Sequence, residues 1–85
     1  MSSNAYHSPT KRSVTIAGHE TSISLEPIFW AALESAAREE KLPVNALIAR
    51  IDVERLDEPD GPPNLTSAIR QWLFLREASR AKREV

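Results

Sequence analysis

The chain has 85 residues and no cysteine, and its 11 Lys and Arg against 12 Asp and Glu leave a formal net charge of -1. That length holds one domain. Without cysteine there are no disulfide staples, thiolate zinc sites or cysteine nucleophiles. No run approaches the roughly 18 apolar residues of a membrane span, and Met1 to Thr10 lacks the apolar stretch of a signal peptide. A cytoplasmic protein without membrane contact is therefore expected.

Near-neutrality hides a division along the chain. Met1 to His19 carries two bases and no acid, Glu20 to Gly61 carries ten acids against four bases, and Pro62 to Val85 carries five bases against two acids. The ends are basic and the middle is acidic, which supports a local basic patch rather than a bulk affinity for nucleic acid. His7 and His19 both lie near the N-terminus, and two ligands on an arm make a poor metal site, so no metal or cofactor is expected.

Residues 1–10, rich in Ser, Asn, His and Pro, read as a disordered arm. Folding is expected to start near Lys11. Ser13 to Ala17 and Thr21 to Leu25 alternate in polarity on either side of Gly18 and His19. Glycine at the first central position suits a type II′ hairpin turn, which would pair Ala17 with Glu20, Ile16 with Thr21 and Val14 with Ile23. That register puts Val14, Ile16, Thr21, Ile23 and Leu25 on one face. Ser13, Thr15, Ala17, Glu20, Ser22 and Ser24, all small or polar, fall on the other.

Glu26-Pro27 opens a helix, because proline at the first helical position loses no hydrogen bond. Phe29, Leu33 and Ala36, with Ala32 and Ala37, form its apolar stripe, and Glu34 and Arg38 stand at ion-pair spacing outside it. It should end near Lys41. Pro43 breaks it and starts a second helix, in which Val44, Leu47, Ile48 and Ile51 share a face as far as Leu56. Asp57 to Pro63, with three prolines and a glycine, is a turn-rich linker. Asn64 caps a third helix whose Leu65, Ile69, Trp72 and Leu73 face inward. Residues 76–85 read as its charged, solvated tail, with Arg76, Arg80 and Arg83 forming a basic stripe. Trp30 and Trp72 read as core or interface residues.

A chain this short buries only about 60% of its unfolded surface, and two strands leave open edges. Self-association is the remaining route to a sufficient core. Pairing Thr21 to Leu25 with the same segment of a second copy brings two sets of Ile23 and Leu25 over the helices. The expected dimer interface is Thr21, Ile23, Leu25, Phe29, Leu47 and Ile48.

The stretch from Lys11 to Trp30, KRSVTIAGHETSISLEPIFW, followed by LPVNALI at 42 to 48 and NLTSAIR at 64 to 70, resembles a family of short bacterial ribbon-helix-helix domain proteins. The resemblance covers residues 11–75. It implies a mainly α fold with a short N-terminal β-ribbon, a homodimer, and here an extra C-terminal helix. It also implies binding of double-stranded DNA in transcription regulation: outward strand residues read bases, and the start of the second helix holds a phosphate. Carried over, the DNA-binding positions are Ser22 and Ser24 on the strand, Val44 and Asn45 at the helix start, and Lys11 and Arg12 on the basic arm. The sequence departs from the pattern at Glu20, an acid where phosphates would approach, and at Pro43, where a capping Ser or Thr often sits.

No nucleophile and base fall into a catalytic pattern, there is no phosphate-binding glycine loop, and the adjacent Glu39 and Glu40 point about 100 degrees apart on a helix. No enzyme activity is expected. The alternative to a DNA-binding regulator is a protein-interaction module or antitoxin-like adaptor of the same fold, whose C-terminal helix meets another protein. Geometry separates the two. A two-stranded ribbon fits the roughly 12 Å major groove, but if the hairpin turn closes each chain supplies two strands and the dimer has four, spanning about three 4.8 Å spacings, too wide to enter flat, so a closed hairpin weighs against conventional groove readout.

Overall fold

The computed structural model describes residues 6–83. The elements are β1 (Thr10–Ile16), β2 (His19–Leu25), α1 (Pro27–Glu40), α2 (Val44–Leu56) and α3 (Leu65–Arg83). Residues 1–5 of the expected N-terminal arm lie outside the described part, and Thr10 already belongs to β1.

The two strands form an antiparallel hairpin, which makes the two-stranded sheet found among the described residues. The turn is centred on Ala17 and Gly18, not on Gly18 and His19, and both residues have positive φ, 51° and 83°. Two left-handed residues in succession are the type I′ condition, which matches the right-handed twist of the strands. The turn thus sits one residue earlier than expected, and Val14 faces Thr21 while Ile16 faces His19. Each cross-strand partner is displaced by two residues. Because the side-chain period is also two, the faces stay as the alternation dictates. Val14, Ile16, Ile23 and Leu25 are buried and Thr21 is half-buried.

Helix α1 begins at Pro27 and closes at Lys41, whose left-handed φ of 59° lets Leu42 N–H reach the Ala37 carbonyl at 2.9 Å. This is a Schellman-type ending. It folds Leu42 back onto the core, and α2 then starts at Pro43. The Asn64 side chain caps α3, accepting from Ser67 N–H at 2.8 Å. Arg55 fastens the linker by donating to the Pro63 carbonyl at 3.0 Å.

Inside, β1 packs mainly on α2, and β2 touches α1 and α3. Leu25, Leu33, Leu47, Ile48 and Ile69 lose all solvent contact. Trp30, not Phe29, is the central aromatic: it is 2% exposed, whereas Phe29 lies half-buried at the margin. The indole can be buried because its Nε1–H donates to the Thr10 carbonyl at 2.9 Å. Glu34 pairs with Arg12 instead of Arg38, since β1 brings that guanidinium within 3.1 Å of its carboxylate. No described helix is long and apolar enough to cross a membrane.

Candidate nucleic-acid interface

Alternation along the hairpin presents one polar outer face. It carries Lys11, Ser13 and Thr15 from β1 and Glu20, Ser22 and Ser24 from β2, all exposed. In register, Lys11 stands opposite Ser24, Ser13 opposite Ser22, and Thr15 opposite Glu20. Hydroxyls dominate. Each can donate or accept, which suits base edges of either polarity. The face carries one cation and one anion, so its own field attracts phosphate little.

Arg12 is on the opposite face. Its guanidinium lies 4.5 Å from the centroid of the Trp30 ring and bonds Glu34 Oε2 at 3.1 Å. Of the two arm cations, Lys11 alone is turned outward with the serines.

At the start of α2, the first helical hydrogen bonds run from Ala46 and Leu47 N–H to the Pro43 carbonyl, at 3.0 and 3.1 Å. No side chain caps this end. The N–H groups of Val44 and Asn45 precede those bonds at the positive end of the helix dipole. Asn45 is exposed and Val44 half-buried.

The basic stripe on α3 is largely neutralised. Arg76 bonds both Glu39 and Glu40 at the end of α1, Arg80 bonds Glu39, and Arg50 of α2 joins at Glu40. The Arg76 hydrogen bonds hold both carboxyls below the usual carboxylate value, with Arg80 and Arg50 adding to the effect. The same bonds raise the Arg76 guanidinium above its ordinary value. Arg70 likewise bonds Glu26 at 2.9 Å and lowers its carboxyl. Spacing alone showed the stripe but not the acids across from it, because those lie on another helix.

Of the residues expected at the dimer interface, Ile23, Leu25, Leu47 and Ile48 are covered by their own chain. Helix α3 contributes Ala68, Ile69 and Leu73 to the same core. Thr21 and Phe29 keep part of their surface. Ser13 and Thr15 share the outer face because β1 folds back on β2; alternation alone placed them there, but the positions carried over from the family pattern included only Ser22 and Ser24 from the strand.

A two-stranded ribbon followed by helices, with a polar outer face on the ribbon, defines a ribbon-helix-helix fold, here extended by a third helix. Residues 9–77 match the model of the ribbon-helix-helix domain family, and the chain belongs to that family. Such domains are typical of DNA-binding transcription regulators and antitoxins, and they generally dimerise. Comparison with curated proteins and with solved structures gives no significant match.

Proposed function

We propose that this protein is a dimeric DNA-binding regulator of transcription that places the outer face of its own hairpin in the major groove. One observation carries this reading. A single chain presents a complete two-stranded ribbon whose exposed face is hydroxyl-rich from Ser13 to Ser24. Two strands about 4.8 Å apart, with side chains, match a groove about 12 Å wide. Ser22 and Ser24, joined by Ser13 and Thr15, read base edges. Lys11 and the free N–H groups of Val44 and Asn45 meet the flanking phosphates.

The face is weakly charged, so binding depends on hydrogen-bond readout more than on bulk attraction. A titration against genomic fragments at about 0.15 M salt tests the reading. The expected result is a subset of fragments bound well above bulk duplex. If every fragment binds like bulk duplex, the reading fails.

A further inference from the structure

We propose that the groove at the C-terminal end of α2, between that helix, the 57–63 linker and α3, takes a basic segment of a partner protein in which Lys or Arg stands beside apolar residues. The groove has a volume of about 380 Å³. Buried Ile51 and Ala68 and the half-buried Trp72 line it, joined by Leu75, which is 64% exposed. Exposed Glu54, Glu58 and Asp60 give it an acidic rim.

The charge of this groove is unbalanced within the chain. Among the described residues Glu54, Glu58 and Asp60 form no ion pair, whereas Glu26, Glu39 and Glu40 each hold an arginine. Arg55 also lines the groove, but its charge is offset by Asp52, which accepts from Nε at 2.7 Å, and its Nη1 is spent on the Pro63 carbonyl at 3.0 Å. The acids also stand where a helix least favours them. Glu54 lies in the last turn of α2, Asp57 is its C-cap and Glu58 follows, all at the negative end of the helix dipole. Acids kept there with no arginine across from them break a local rule of stability, and such breaks are expected where a function compensates.

An apolar wall with an acidic rim suits a Lys or Arg side chain, whose methylenes lie along Trp72 and Leu75 while its charge reaches the carboxylates. Arg76 already sits 5.4 Å from the centroid of the Trp72 ring, so the incoming cation is held by the carboxylates and the indole supplies apolar contact. The same carboxylates repel nucleic acid. The 13 residues of α2 set this end about 20 Å from the N–H groups of Val44 and Asn45. A segment seated in the groove therefore does not compete with phosphate at the helix start.

Fluorescence anisotropy of short fluorescein-labelled peptides of Lys and Leu, titrated with the full chain without DNA at about 0.15 M salt, tests this apart from any operator. Saturable binding is expected, with Lys-and-Ser and Glu-and-Leu counterparts at least about tenfold weaker. Glu54→Gln, Glu58→Gln and Asp60→Asn combined should weaken the Lys-and-Leu peptide at least about tenfold, with an unchanged circular dichroism spectrum. Glu20→Gln with Glu77→Gln removes two other acids that form no ion pair among the described residues, and should leave the affinity in place. Equal weakening in that control means diffuse attraction and overturns the proposal. So does an affinity untouched by the triple variant, or the absence of saturable binding. A triple variant whose sedimentation without peptide departs from wild type also overturns it, and gives the groove to the basic tail of a second copy. None of these results bears on whether the hairpin binds DNA.

Discussion

Arg12 lies over Trp30, its guanidinium carbon 4.5 Å from the ring centroid, while Lys11 beside it points out of the opposite face of the ribbon. Two adjacent cations are thus separated by the strand's pleat into different tasks. Arg12 covers the indole and holds Glu34 of α1, fastening β1 to the helices. Lys11 is left beside Ser24 on the hydroxyl-rich face.

That division predicts opposite phenotypes. Arg12→Ala should lower stability by about 1 kcal/mol, the scale of a partly exposed cation–π contact with a surface ion pair. Lys11→Ala should leave the denaturation midpoint in place, weaken DNA binding and reduce its salt slope by about one phosphate contact per chain. Denaturant melts and binding titrations at several salt concentrations read the two effects separately. Equal loss of stability in both variants would contradict the assignment.

Glu20 is the one acid on the outer face, directly across from Thr15. Replacing it with arginine removes a charge that repels phosphate and adds one that attracts it. Glu20→Arg should tighten binding to arbitrary duplex and steepen its salt dependence by about one contact per chain, with little change in sequence preference. Should affinity and slope stay at wild-type values, the ribbon face does not meet DNA.

The turn gives a test of the fold itself. Ala17 adopts a left-handed φ of 51°, a conformation that a Cβ disfavours by about 1 kcal/mol or more. Ala17→Asn creates the Asn-Gly pair preferred in type I′ turns and should raise the thermal midpoint. A Cβ at Gly18 would meet nothing within 4 Å, so any cost of Gly18→Ala arises from its φ of 83° alone. Gly18→Ala should therefore destabilise by roughly 1 kcal/mol.

Much of this architecture is legible along the chain because local signals are strong there. Pro27, Pro43 and Asn64 mark helix starts, and the apolar positions of α2 and α3 recur at helical spacing. The ribbon faces are readable because alternation survives an even shift in register, even though the turn lies one residue earlier than the glycine suggests. What local pattern does not carry is pairing between distant elements. Arg76 meets Glu39 and Glu40 across a gap of more than 35 residues, so the basic stripe is visible and its neutralisation is not. Trp30 is readable as a core or interface residue, but the partner that lets its indole be buried is not, since the carbonyl that accepts from its ring belongs to the distant Thr10. The proposed DNA-binding positions are legible only through the family pattern, because exposed serines on a strand carry no chemical signature of their own.

The ion pairs between α1, α2 and α3 predict a specific acid sensitivity. Glu26, Glu39 and Glu40 are held below the ordinary value of 4.5 by hydrogen bonds from Arg70 or Arg76. The unfolded chain, lacking those bonds, takes up protons first as pH falls. Stability from these groups is therefore complete above about pH 4.5 and is lost as pH drops through their lowered folded values. Melting temperature should fall on that acid limb and be flat for these groups near neutrality. Glu39→Gln with Glu40→Gln should flatten the limb, and added salt should shrink the difference because the pairs are partly exposed. An acid limb as steep in the double variant as in wild type would assign the loss to other carboxyls.

The start of α2 provides the sharpest separation of binding from folding. The N–H groups of Val44 and Asn45 lie ahead of the first helical bonds, and no side chain caps them. A phosphate flanking the groove would be held by these donors and by the positive end of the helix. Asn45 is exposed, so Asn45→Asp keeps the side chain's shape and adds a carboxylate beside that phosphate. An acid in the first turn complements the helix dipole, so the thermal midpoint should hold or rise by a few tenths of a kcal/mol in stability. Affinity for DNA should fall at least about tenfold, the effect of one like-charge contact and one lost phosphate clamp. Differential scanning calorimetry and a binding titration on the same sample check both halves. Undiminished affinity in Asn45→Asp would remove the helix start from the interface, whatever the ribbon proves to do.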